Sequence, residues 1–85
     1  MPSKTVTVGS AVGLHARPAA IISEAAVNSG VPVTLCVDGG EPVDAGSALM
    51  IMTLGAGHGA QVTVESSDDA AVATIAALVE KDLDA

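Results

Sequence analysis

No phenylalanine, tyrosine or tryptophan occurs anywhere in the 85 residues of this chain. Aromatic rings dominate many cores and interfaces, so stability here has to come from Val, Ile, Leu, Met and a large share of Ala. Such a core is tight but modest. A single domain of this length buries only a little over ~60% of its unfolded surface, which puts stability at the low end of the usual range unless the fold is very regular. The chain therefore reads as one small domain over residues 1–85.

Regularity is what the pattern supplies. The segment from Lys4 to Val8 alternates Thr5, Val6, Thr7, Val8, the period of a half-buried strand. Ala16 to Ser29 has helical spacing, with Ala19, Ile22 and Ala26 on one side, Pro18 in the first turn and Gly30 just past the end. Val31, Val33, Leu35 and Val37 alternate with Pro32, Thr34 and Cys36 in a second strand, and Cys36 is expected on the face away from the core. Asp38-Gly39-Gly40-Glu41 is a turn leading to a short strand near Pro42 to Asp44, and Pro42 favours a sheet edge. The apolar run from Ser47 to Thr53 predicts a short helix ending at Leu54-Gly55. Gln61 to Glu65 alternates as a further strand. A last helix opens at Ser66-Ser67-Asp68-Asp69, with Val72, Ile75, Val79 and Leu83 as its buried stripe. Four strands, two of them a tight hairpin, with three helices that all need the same apolar face, predict an α+β open-faced β-sandwich with an antiparallel sheet.

Charge excludes several functions. Three Lys plus Arg against ten Asp plus Glu give a net charge of -7, which speaks against nucleic acid and against anionic membranes. The lone Cys36 cannot form an internal disulfide, Met-Pro-Ser-Lys begins no signal peptide, and no apolar run reaches the ~20 residues of a membrane span. The expected setting is the cytoplasm, without membrane insertion. No cluster of His and Cys suggests a metal, and no cofactor is expected.

The stretch Gly13-Leu14-His15-Ala16-Arg17-Pro18-Ala19 carries the chemistry. It puts an imidazole at the start of a helix and the chain's only arginine two residues on. Unpaired amides at a helix N-terminus, Ala16 and Arg17 among them, favour an anion such as a phosphate. The Arg17 guanidinium can add forked hydrogen bonds to phosphoryl oxygens. From these residues alone, a His15 that merely caps the helix beside a solvated Arg17 remains an open alternative.

The seven-residue stretch resembles the active-site signature of the HPr family, the histidine-containing phosphocarriers of the bacterial phosphoenolpyruvate-dependent sugar phosphotransferase system. Chain length, element order and the segment Ser47-Ala48-Leu49-Met50-Ile51-Met52-Thr53-Leu54-Gly55 resemble that family too, so the likeness spans essentially the whole chain. It implies that His15 takes a phosphoryl group on Nδ1 from phosphorylated enzyme I and hands it to an enzyme IIA, with Arg17 neutralising the group. It implies a monomeric carrier, not an enzyme, with transient partners. An apolar patch of Leu14, Leu49, Met50 and Met52 would dock them.

Some features depart from the family. In some branches the serine at position 47 is phosphorylated by a regulatory kinase; here Gly46 stands where a basic residue commonly precedes it, and Ala48-Leu49 replace the usual Ile-Met. Ser47 also falls one residue further from His15, consistent with an extra residue in the Asp38 to Glu41 turn. A plain helix-cap role would explain Ser47 equally. Where family members often carry lysines near the docking face, the first helix has Ser23 and Glu24. Gly55-x-Gly57-x-Gly59 around His58 lacks the Lys and Ser/Thr of a phosphate loop and reads as a flexible turn. Alternative readings are a paralogue serving nitrogen regulation or dihydroxyacetone phosphorylation, and a regulatory binding module whose histidine no longer carries phosphate.

Overall fold

The computed structural model of the chain describes residues 2–81. Strand β1 (Ser3–Thr7) leads into helix α1 (Ala16–Asn28), followed by β2 (Val33–Val37), β3 (Val43–Asp44), α2 (Ala48–Thr53), β4 (Gln61–Ser66) and α3 (Asp69–Glu80). The strands form one antiparallel sheet in the order β1-β4-β2-β3. This is the expected α+β open-faced sandwich, with β3 at an edge next to Pro42.

Period-two alternation sorts the two faces of the sheet. Val6 pairs with Val62, which pairs with Val37, and Leu35 pairs with Val64, so these side chains share the helix-covered side. On the opposite side Thr5, Thr63 and Cys36 lie in one row, and the Thr5 and Thr63 hydroxyls hydrogen-bond at 2.8 Å. Cys36 is thus on the open face, half-buried, with its thiol 3.0 Å from the Gly40 carbonyl oxygen. Ile22, Leu35, Ile51, Val62, Val64, Ile75 and Val79 are all fully enclosed in one continuous core. Helix α1 packs against both α2 and α3, while α3 lies on β1 and β4.

Several boundaries differ from the sequence reading. β2 begins at Val33, not Val31, because Pro32 has no N–H to give a ladder. β1 ends at Thr7, although Val8 remains buried and is hydrogen-bonded to Ala60. Ser66 is not the N-cap of α3; it closes β4, buried, with its hydroxyl donating to the Pro32 carbonyl at 2.7 Å and accepting from the Asp68 amide at 3.3 Å. Asp68 is the cap instead, its carboxylate accepting from the Ala70 amide at 3.0 Å. Leu83, expected in the buried stripe of α3, lies outside the described residues.

Candidate phosphoryl-accepting site

His15 is the N-cap of α1, in an extended conformation with φ -85 and ψ -163, and its side chain makes no capping hydrogen bond. Its carbonyl oxygen accepts from the Ala19 amide at 2.9 Å, so the helix starts directly behind it. Pro18, buried, has no N–H to leave unsatisfied. The amides of Ala16 and Arg17 thus head the helix ahead of its first internal bond. Both residues are exposed, and the Arg17 guanidinium has no hydrogen-bond or ion-pair partner among the described residues.

The two long helices treat their N-termini differently. α3 starts with Asp68 as cap and Asp69 in its first turn, so its own carboxylates offset the positive end. α1 has no acidic residue in its first turn and no side-chain cap. Its positive end is left for an external anion, with the His15 ring beside it. A phosphoryl group there would meet backbone amides and a guanidinium together.

The segment before the helix is held from two sides. Gly9 donates to the Val79 carbonyl at 3.1 Å, and the hydroxyl of fully buried Ser10 to that of Lys81 at 3.4 Å, so the end of α3 anchors the loop. On the other side the Leu14 amide donates to the Ala56 carbonyl at 2.9 Å. Gly13, at φ 82, lies so close that a Cβ would sit 2.5 Å from the Ala56 oxygen and 2.7 Å from Gly57 Cα. Only glycine serves there, both for its backbone angle and for the close approach.

Leu14 corrects an expectation. It is 4% exposed and belongs to the core, not to an apolar docking patch, because the bond from its amide to Ala56 turns this segment inward. Leu49, Met50 and Met52 are exposed on α2, with Ile51 between them buried. Val12, 70% exposed in the loop before His15, joins the exposed apolar set in place of Leu14. Its letters give no sign of this, since Val12 sits in no periodic segment. The residues that brace the loop, Ser10, Ala56 and Gly57, give no more sign of it; Gly57 falls in the stretch read as a flexible turn, which is tied to Val8, just past β1, by the Gly59 amide at 3.1 Å. His58 in that loop is exposed. Ser47 caps α2, its hydroxyl accepting from the Met50 amide at 3.3 Å.

Comparison with known proteins agrees with this architecture. A family model described as the PTS HPr component phosphorylation site matches residues 2–81. The phosphocarrier protein HPr of Streptomyces coelicolor is 42% identical over 80 residues, which is 94% of this chain and 86% of that protein. The phosphocarrier protein NPr of Klebsiella oxytoca is 30% identical over 76 residues, 89% of this chain and 84% of that protein. The crystal structure of HPr from Bacillus anthracis superposes with a TM-score of 0.84 at 32% identity, covering 92% of this chain and 95% of that one. Fold and sequence together define a small phosphocarrier of the phosphotransferase system, a carrier in kind and not a catalyst. The chain belongs to the HPr family.

Proposed function

We propose that His15 accepts a phosphoryl group on Nδ1 from phosphorylated enzyme I and passes it to enzyme IIA components in sugar uptake. The observation that carries this reading is the start of α1, where His15 is the N-cap, the amides of Ala16 and Arg17 head the helix, and no carboxylate lies in the first turn. In each transfer the incoming imidazole nitrogen forms its bond to phosphorus as the bond to the departing group breaks in line. Ala16 and Arg17 amides and the Arg17 guanidinium bear the charge on the phosphoryl oxygens. Positioning and charge compensation are most of what such a transfer needs.

Leu49, Met50 and Met52 on α2, with Val12, form the apolar surface that partners cover. Met side chains adapt to more than one partner, which suits a carrier that meets a donor and several acceptors. Ser47 enters this reading as a helix cap; its hydroxyl is engaged with the Met50 amide. The sugar branch is preferred over nitrogen regulation because identity to an HPr, 42%, exceeds that to an NPr, 30%. The cytoplasm is the setting, and no helix among the described residues is long and apolar enough to cross a membrane.

The test is incubation with phosphoenolpyruvate and the organism's own enzyme I. Wild-type protein is expected to gain one acid-labile phosphoryl group and His15→Ala none. Labelling that survives His15→Ala, or a wild type that takes no label, would end the carrier assignment.

A further inference from the structure

The absence of aromatic rings concentrates the oxidation chemistry of this chain on sulfur. Among the described residues the sulfur atoms are those of Met50, Met52 and Cys36, Met1 lying outside them. They are not equivalent. Cys36 is half-buried on the open face of the sheet, its thiol 3.0 Å from the Gly40 carbonyl oxygen and 3.2 Å from that of Val37. Met50 and Met52, 41% and 39% exposed, stand on α2 on either side of buried Ile51. At about 3.6 residues per turn, their side chains leave the helix on opposite flanks of Ile51, so both thioethers meet solvent. The backbone beneath them is secured. The Ser47 hydroxyl accepts from the Met50 amide at 3.3 Å, and the Thr53 hydroxyl donates to the Met50 carbonyl at 2.6 Å. Leu49 shares this surface but has no comparable chemistry.

We propose that Met50 and Met52 form a reversible oxidation site through which a peroxide weakens the binding of partner proteins over α2. The inference rests on the carrier reading proposed above. In each reaction the thioether sulfur attacks one oxygen of hydrogen peroxide. The S–O bond forms as the O–O bond breaks, and the second oxygen leaves as water with both peroxide protons. Sulfur loses two electrons and the peroxide gains them. The product is a methionine sulfoxide, polar where the thioether was apolar. A partner that covers α2 then has to strip water from the new oxygen, which an apolar contact does not replace. The core is spared, because Ile51 is the one buried side chain of α2. A methionine sulfoxide reductase reverses the step with two electrons from thiols, the oxygen leaving as water.

The test treats the protein with hydrogen peroxide, maps oxidised residues by peptide mass, and follows phosphoryl transfer from phosphorylated enzyme I over a range of carrier concentrations. Met50 and Met52 are expected to gain one oxygen atom each. KM should then rise about tenfold, with kcat and thermal midpoint unchanged. Each variant is compared with itself before treatment. Cys36→Ser should respond as wild type does, whereas the Met50→Leu, Met52→Leu double variant, which keeps apolar volume, should not respond. Methionine sulfoxide reductase is expected to return the wild type to its starting KM. Failure of either methionine to take up oxygen, or an unchanged KM with both sulfoxides formed, overturns the inference. So does a rise that persists in the leucine variant, which places the sensitive group elsewhere, or one matched by a fall in thermal midpoint, which assigns it to unfolding of α2. A wild type that accepts no label before treatment removes the carrier reading and this consequence together; a labelled wild type indifferent to peroxide removes the oxidation site alone.

Discussion

In the carrier function proposed above, Arg17 is the residue on which the chemistry would depend most after His15. Its guanidinium is exposed and unengaged among the described residues, so it adds little to folding and is available to a ligand. Planar, forked donors can hold two phosphoryl oxygens at once, whereas an ammonium acts as a point charge. Arg17→Lys is therefore expected to keep the fold and the acceptance of label, but to slow transfer by about ten- to a hundredfold, as for the loss of one hydrogen bond to a charged group worth ~1.5–3 kcal/mol. Stopped transfer reactions with equal thermal midpoints are the check. A Lys variant as fast as wild type would mean that charge alone suffices. The placement of His15, Ala16 and Arg17 at one helix start was legible from sequence because they are contiguous, and a helix start orients contiguous residues without help from the rest of the chain. Leu14 was misjudged for the complementary reason, as its burial depends on Ala56, which is distant in sequence.

At the scale of elements, α2 is the most vulnerable part. It has six residues and a single buried side chain, Ile51, and helices this short do not persist on propensity alone. Ser47 closes its first turn through the Met50 amide. Ser47→Ala should cost about 1 kcal/mol in urea unfolding, the usual worth of such a cap, and the amide exchange of α2 should rise more than that of α1. No loss of stability would show that α2 is held by its packing on α1 and β3 without the cap. The strands were readable from alternation, and the edge position of β3 from Pro42. Ends of elements were less so, since Ser66 both ends β4 and accepts from the Asp68 amide at the start of α3, while its bond to the Pro32 carbonyl comes from a distant segment.

The whole molecule links its last helix to its site. Gly9 approaches the end of α3 so closely that a Cβ would lie 1.8 Å from the Glu80 carbonyl oxygen. Backbone, not a flexible side chain, is the obstacle, so Gly9→Ala has to part β1 from α3 or displace the loop. A cost of ~1–3 kcal/mol is expected, as for overpacking elsewhere; at ~4–8 °C per kcal/mol for a domain of this size, the thermal midpoint reports it directly. Phosphoryl transfer should fall as well, because that loop carries His15. A Gly9→Ala protein of full stability would show that α3 does not restrain the site.

Charge shows the same division between chain and fold. Exposed large apolar side chains among the described residues, Val12, Ile21, Val27, Leu49, Met50 and Met52, all lie on α1, α2 or the loop before His15. Glu24 lies on α1 itself, and the Asp44 carboxylate of β3 borders this surface beside Val27. The sequence by itself determined the element types, the sandwich and the His15–Arg17 pair, because periodicity, turn chemistry and contiguous motifs act over a few residues. Tertiary structure alone decided which apolar residues face solvent and what braces Gly13. Those outcomes depend on contacts between segments far apart in the chain, whose distances no local pattern encodes.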